Sequence, residues 1–222
     1  MNKLEIACFN LDSALIAQEN GADRVELCAE MEVGGTTPNF EITKQVRNVI
    51  SVDLNVMIRP RGGNFVYSDA EFEQMKNEIL KFKEMGVNGF VFGILNEDNS
   101  VNKSQNSELV ALAKPFPSTF HRAFDEVSDA FQSLEEIIQC GFQTILTSGQ
   151  QPNVMEGTNQ LKELVSKANN RIVIMPGGGL RSTNIEVLQE QTKATFYHSS
   201  AITDGSEIAN PEEIIQLKKK LY

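Results

Sequence analysis

Short runs of β-branched and aromatic residues recur along the chain, at Leu4–Cys8, Arg24–Cys28, Leu54–Ile58, Gly89–Phe92, Ser118–His121, Thr144–Thr147, Arg171–Met175 and Ala194–His198. Between them the apolar spacing switches to the helical period. In Asp69–Met85, Phe72, Met75, Ile79 and Phe82 fall on one face, Ser68 and Glu71 form a capping box, and Gly86 supplies the stop. The last helix has Asn210 as its cap, Pro211 in its first turn and Ile214, Leu217 and Leu221 as its buried stripe. The phrases NGADRVEL, MGVNGFVF and CGFQTIL each set a glycine just ahead of an apolar run, where a helix turns back into the next strand. Strands alternating with helices predict a parallel sheet covered by helices.

Eight such units in 222 residues come to about 28 residues each, somewhat shorter than in a typical eightfold barrel of ~250 residues. The expected fold is α/β, a closed (β/α)8 TIM barrel, with an open doubly wound sheet as the alternative. No linker or composition shift divides the chain, so residues 1–222 read as a single domain. The composition is that of an ordinary globule, 41% hydrophobic and 23% charged. A net charge of −10 opposes phosphate backbones and anionic lipid, which argues against nucleic acid or a membrane as partner. MNKLEIACFN lacks the apolar core of a secretory signal, and three cysteines are too few for a disulfide scaffold, so a reducing, cytoplasmic setting is expected.

In such barrels the chemistry gathers where strands end and the following loops begin. Glu26 lies within the second apolar run, and Arg59 and Arg61 follow the third. His121, Arg122 and Asp125 follow the fifth, and His198, the second of two histidines, ends the eighth. If Glu26 points into the barrel, so does Cys28; if Glu5 does, Cys8 does not unless the strand has already turned. A buried Glu5 or Glu26 needs a cation, and Arg59 or Arg61 is the expected partner. MPGGGLRS brings Gly177, Gly178 and Gly179 before a helix expected near Ser182, while TSGQ adds Ser148 and HSSA adds Ser199 to the same rim. Glycine turns after strands seven and eight suit an anion, although they would also serve a tight crossover. One reading follows: an enzyme or sensor for a phosphorylated or carboxylated metabolite, a small anionic ligand. Arg59, Arg61 and Arg122 would clamp it, Glu26 would act as base or anchor, His121 with Asp125 would move a proton, and Gly177–Gly179 with Ser148, His198 and Ser199 would line the rim.

GADRVELC, GGTTPNF, MIRPRGGNFVYS, GFVFGIL, TFHRAFD, ILTSG, MPGGGL and FYHSSA, in that order, resemble the CutC family, described as copper homeostasis proteins. The resemblance spans nearly the whole chain. It implies a cytoplasmic TIM barrel that forms a homo-oligomer, dimer or tetramer, with a role in copper homeostasis. It further implies copper(I) held by the thiols of Cys8 in EIAC and Cys28 in VELC. Two soft thiolates on neighbouring strands would suit that ion. Cys140 matches no such motif and is expected to be a packed thiol.

Overall fold

The computed structural model describes residues 2–221. Its eight strands are β1 (Lys3–Cys8), β2 (Arg24–Leu27), β3 (Asp53–Met57), β4 (Gly89–Phe92), β5 (Ser118–Phe120), β6 (Thr144–Thr147), β7 (Val173–Pro176) and β8 (Phe196–Ser199). Each is followed by a helix: α1 (Leu11–Glu19), α2 (Phe40–Val49), α3 (Asp69–Glu84), α4 (Lys103–Ala113), α5 (Ala130–Cys140), α6 (Thr158–Ala168), α7 (Ile185–Thr192) and α8 (Pro211–Lys220). All ladders are parallel and run β7-β6-β5-β4-β3-β2-β1-β8. β7 and β8 pack side by side and bring the sheet nearly to closure. The fold is the (β/α)8 barrel expected from the spacing of the apolar runs.

Alternation along the strands sorts the side chains into two layers. Leu4, Ile6 and Cys8 of β1, Val25 and Leu27 of β2, Leu54 and Val56 of β3, and Phe90 and Phe92 of β4 join the apolar layer between sheet and helices. The opposite parity faces the barrel interior, where Cys28, Met57 and Val91 form one small cluster and Leu146, Met175 and Phe196 another. Polar side chains share that interior, among them Glu5, Glu26, Asn55 and Thr119, all almost fully buried.

The helix ends follow the expected chemistry. Ser68 Oγ accepts from Glu71 N while the Glu71 carboxylate accepts from Ser68 N at 2.8 Å, closing the capping box of α3. Asn210 caps α8 through Glu213 N, with Pro211 in the first turn. Several boundaries differ from expectation. The last two strands start two residues later than their apolar runs, because Arg171 and Ile172 complete the turn out of α6 and Ala194 and Thr195 the turn out of α7. The helix expected near Ser182 begins at Ile185: Asn184 Oδ1 accepts from Arg181 N and folds residues 182–184 into a turn. Among the described residues no helix is long and apolar enough to cross a membrane.

Gly89 of β4 is required by its register partner on the adjacent strand β3. A Cβ there would collide with the buried Asn55 amide and lie 3.1 Å from Pro117 O. Gly89→Ala is expected to lower the unfolding free energy by about 1–3 kcal/mol, as overpacking of a filled interior does. Urea denaturation with an unchanged m-value would verify it.

Candidate functional site

The register of three strands assembles the first part of the site. Glu5 on β1 stands opposite Arg24 on β2 and opposite His198 on β8, so one carboxylate meets a guanidinium and an imidazole on the strands that flank it. The Glu5 carboxylate pairs with Arg24 Nε and, through Oε1, with His198 Nδ1 at 2.8 Å. Arg24 also lies over the Phe196 ring, 4.2 Å from its centroid. Burial works to raise the Glu5 carboxyl, but Arg24 and His198 outweigh it and hold it at about 2. Burial likewise opposes charge on His198, and here Glu5 and Glu26 prevail and raise its pKa. Glu5 therefore pairs with Arg24 and His198 rather than with Arg59 or Arg61. Those two arginines leave the sheet at the end of β3, beyond the row that Glu5 occupies.

Glu26, two residues beyond Arg24 on the same inward face, is 2% exposed. Cys28 Sγ donates to its Oε1 at 3.3 Å. Its Oε2 lies 3.5 Å from His198 Nδ1 and has no hydrogen-bond partner. Burial, partly offset by His198, pushes this carboxyl up to about 7. The donor atoms of Glu5, Glu26 and His198 lie within 4.8 Å of one another, a spacing open to a hard cation. Arg24 already brings positive charge to Glu5 and His198 hydrogen-bonds it, so the group is tied together as a polar network.

Across the mouth, His121 follows β5. Its Nδ1 accepts from Ala123 N at 3.3 Å, which puts the ring proton on Nε2. Nε2 is buried without a partner. Burial and the nearby Arg59 charge drive its pKa down to about 3, so the ring stays neutral. Phe65 flanks the imidazole at 4.8 Å between centroids, and a Cβ on Gly93 would lie 2.9 Å from Nδ1. Arg59, 5% exposed, donates to Val33 O, Gly35 O and Gly63 O at 2.8–2.9 Å and stacks over Phe65, while its Nε has no partner.

These groups surround a cavity of about 290 Å³ at the C-terminal ends of the strands. Glu26, Cys28, Arg59, His121, Arg122 and His198 reach it, as do Gly178, Gly179 and Ser199. Gly178 and Gly179 have φ of 105° and 73°, a left-handed backbone that admits glycine easily. A Cβ at Gly178 would lie 3.2 Å from the Arg122 guanidinium carbon.

Other expected site residues are placed differently. Arg61 does not line the cavity; its Nε donates to Glu71 Oε1 at 2.6 Å and it stacks over Tyr67, tying the β3 loop to α3. Asp125 does not meet His121, whose Nδ1 is already engaged by Ala123 N. It accepts instead from Thr147 Oγ1, Ser148 N, Gln150 N and Arg122 Nε, fixing the loop after β6. Ser148 Oγ accepts from Arg122 at 3.0 Å and so orients that arginine. Gly177 lies behind His198, where a Cβ would fall 2.5 Å from Leu146 Cδ1 and 3.1 Å from His198 Cβ. Two cations went unrecognised in the sequence, Arg24 and Arg181. Arg24 shares inward parity with Glu26, a signal that was available. Arg181 lines the cavity and donates to Leu180 O, Ser199 Oγ and Ile202 O, bridging the last two loops.

The expected pair of copper-binding thiols does not assemble. Cys8 belongs to the sheet–helix layer and its Sγ donates to Ile6 O, whereas Cys28 faces the interior beside Met57. The strands are neighbours, but the two residues fall on opposite pleats of the wall. Burial and the Glu26 carboxylate raise both thiols, Cys28 strongly, so both are protonated. Cys140 is a buried thiol at the end of α5 whose Sγ donates to Lys103 O.

The CutC family matches residues 2–203. The chain belongs to the CutC family. It is 43% identical over 198 residues to the copper homeostasis protein cutC homolog of Homo sapiens, covering 89% of this chain and 72% of that protein. It is 45% identical to a CutC family protein of Proteus mirabilis, over 90% and 80% of the two chains. Among solved structures, the CutC protein of Streptococcus agalactiae superposes with a TM-score of 0.87 at 35% identity, over 91% of this chain and all of that one. Phosphoribosylanthranilate isomerase of Thermotoga maritima superposes with a TM-score of 0.68 at 15% identity over all of this chain and 98% of its own, a likeness of fold. Copper homeostasis is the role that the human relative's name gives to that protein.

Glu5 anchors the CutC interior through Arg24 and His198, both largely withdrawn from solvent. Glu5→Gln is expected to cost about 3–5 kcal/mol at pH 7, because it strands Arg24 and His198. Since its folded pKa of about 2 lies below the ordinary 4.5, Glu5 contributes stability above the ordinary value and loses it as pH falls from 4.5 towards 2. Denaturant midpoints between pH 2 and 7 should show a steep acid loss in the wild type and a shallower one in Glu5→Gln.

Proposed function

We propose that the cavity binds a compact anionic metabolite bearing a phosphate or carboxylate, as the ligand of an enzyme or sensor within this copper-homeostasis family. One observation carries the reading. Arg59 and Arg181 both line the cavity, and among the described residues neither pairs with a carboxylate. Arg59 is almost fully buried and keeps its Nε unpartnered. A buried cation that meets carbonyl oxygens and the Tyr67 hydroxyl but no carboxylate is complementary to an anion, and guanidinium groups suit the forked oxygens of carboxylate and phosphate. Because the whole chain carries −10, local arginines would have to draw the ligand in against the global field. The volume lies at the bottom of the range of small-molecule sites, ~300–1,000 Å³, and favours a compact ligand.

Direct copper(I) binding is the second reading, favoured by Cys28 on the cavity wall close to the Met57 methyl. A Cβ on Gly35 would lie 3.4 Å from one and 3.5 Å from the other. A thiol and a thioether are soft donors, but the thiol would first have to lose a proton that Glu26 helps it retain. The two readings separate in one set of measurements. Thermal shift against phosphorylated and carboxylated metabolites should reveal a stabilising ligand, and Arg181→Gln should weaken its binding about 10–100-fold, the value of one charge-assisted contact. No stabilisation by any anion would refute the anion reading. Anaerobic copper(I) competition that is strong in the wild type and lost in Cys28→Ser would favour the metal instead.

A further inference from the structure

Five buried side-chain polar atoms among the described residues lack a hydrogen-bond partner, and three belong to residues that line this one cavity: Glu26 Oε2, Arg59 Nε and His121 Nε2. Leaving such atoms unsatisfied is costly, so their occurrence in three residues of one cavity lining needs a cause. We propose that the cavity is a proton-transfer site for a phosphorylated or carboxylated α-hydroxy carbonyl compound, in which Glu26 takes the proton from the carbon beside the carbonyl and His121 Nε2–H holds the carbonyl oxygen. The inference rests on the anion reading above and adds a reaction to it.

Each role follows from the contacts around the group. Glu26 has one oxygen engaged by Cys28 and the other open, the division a general base needs between a fixed and a reacting oxygen. Glu5, the other interior carboxylate beside it, is saturated by Arg24 and His198 and has no oxygen to offer. His198 is anchored to Glu5 and stands 3.5 Å from Glu26 Oε2, where it steadies the carboxylate. His121 is fixed as the Nε2–H tautomer by the hydrogen bond from Ala123 N, so its open nitrogen is a donor. Phe65, which Arg59 in turn covers, flanks the ring. Glu26 and His121 come from β2 and β5, three strands apart around the cylinder, and so approach a ligand from different walls.

The step balances without a further reagent. Glu26 takes the C–H proton, the C–H electron pair becomes the new C=C bond, and the carbonyl π pair moves to oxygen, which His121 Nε2–H stabilises as the enediolate. Return of the proton to the same carbon exchanges that hydrogen with solvent. Its return to the former carbonyl carbon, with the hydroxyl proton passing to the enediolate oxygen, shifts the carbonyl by one position. Nothing is oxidised or reduced overall.

The test uses the full chain and defined probes. Dihydroxyacetone phosphate, glyceraldehyde 3-phosphate and larger phosphorylated and carboxylated α-hydroxy carbonyl compounds of up to six carbons are incubated in D2O, with C–H loss followed by NMR. Glycerol 3-phosphate serves as the carbonyl-free control and 2-phosphoglycolate as a planar mimic of the enediolate. The expected result is protein-dependent exchange of at least one carbonyl probe, lowered about 100-fold or more in Glu26→Gln. Tighter binding of 2-phosphoglycolate than of glycerol 3-phosphate, by about tenfold or more, is also expected. Binding of both phosphates with no exchange of any carbonyl probe would overturn the proton-transfer inference and leave the anion reading standing. Failure of every probe to bind would bring both down. A measurement on the unmutated protein covers the case in which variants do not fold: nitrogen NMR should find His121 neutral with its proton on Nε2, and a proton on Nδ1 would overturn the assignment.

Discussion

A carboxylate sealed inside a barrel must be matched where it sits, and Glu5 is matched by Arg24 and His198 from the two strands beside it. This three-strand ion network ties β8 to β1 and β2, next to the seam where β7 and β8 meet. It also sets the character of everything above it in the interior. With Glu5 fully paired, His198 is drawn into the network and Glu26 is left as the carboxylate whose charge is not settled by a dedicated partner. The electrostatics of the mouth thus descend from one register, the pairing of Glu5 with both neighbours.

The rest of the rim is built by loops that the network does not reach. Asp125 gathers Thr147, Ser148 and Gln150 and, through Arg122, closes the loops after β5 and β6 onto the same side of the mouth. Arg181 and Ser199 join the loops after β7 and β8. Arg59 collects three carbonyls from the segments after β2 and β3. Each of these residues spends hydrogen bonds on ordering a loop, and in Arg59 and Arg181 the formal charge is left without a carboxylate. That division between neutral acceptors and unmatched charge makes the cavity cationic on one side within an acidic protein.

The two cysteines show how much a single pleat decides. Cys8 ends β1 while still in the strand, so it shares the parity of Leu4 and Ile6 and packs against helices. Cys28 shares the parity of Arg24 and Glu26 and faces the cavity. Neighbouring strands brought the residues close along the chain order of the sheet, close enough for each to feel the same Glu26 carboxylate, but their side chains leave on opposite pleats. Cys8 and Cys28, the pair that the resemblance implied, therefore differ in parity, one towards the helices and one towards the cavity.

The barrel itself was legible from the sequence, because eight apolar runs separated by helical periods and glycine stops leave few other ways to bury both faces of each strand. The caps at Ser68 and Asn210 and the inward pairing of Glu26 with Cys28 were legible for the same reason, being set by local geometry and a period of two. The gathering of Arg59, His121, His198 and the glycine turns at one rim followed from the rule that strand ends converge. Partner choice was not legible. Whether Glu5 meets Arg24 or Arg59, whether Asp125 serves His121 or a loop, and that Arg181 reaches the cavity all depend on the relative stagger of strands and the path of loops. Those are fixed only when the sheet curls round and non-neighbouring segments compete for the same oxygens, a choice made in three dimensions by distance and desolvation rather than by any spacing along the chain.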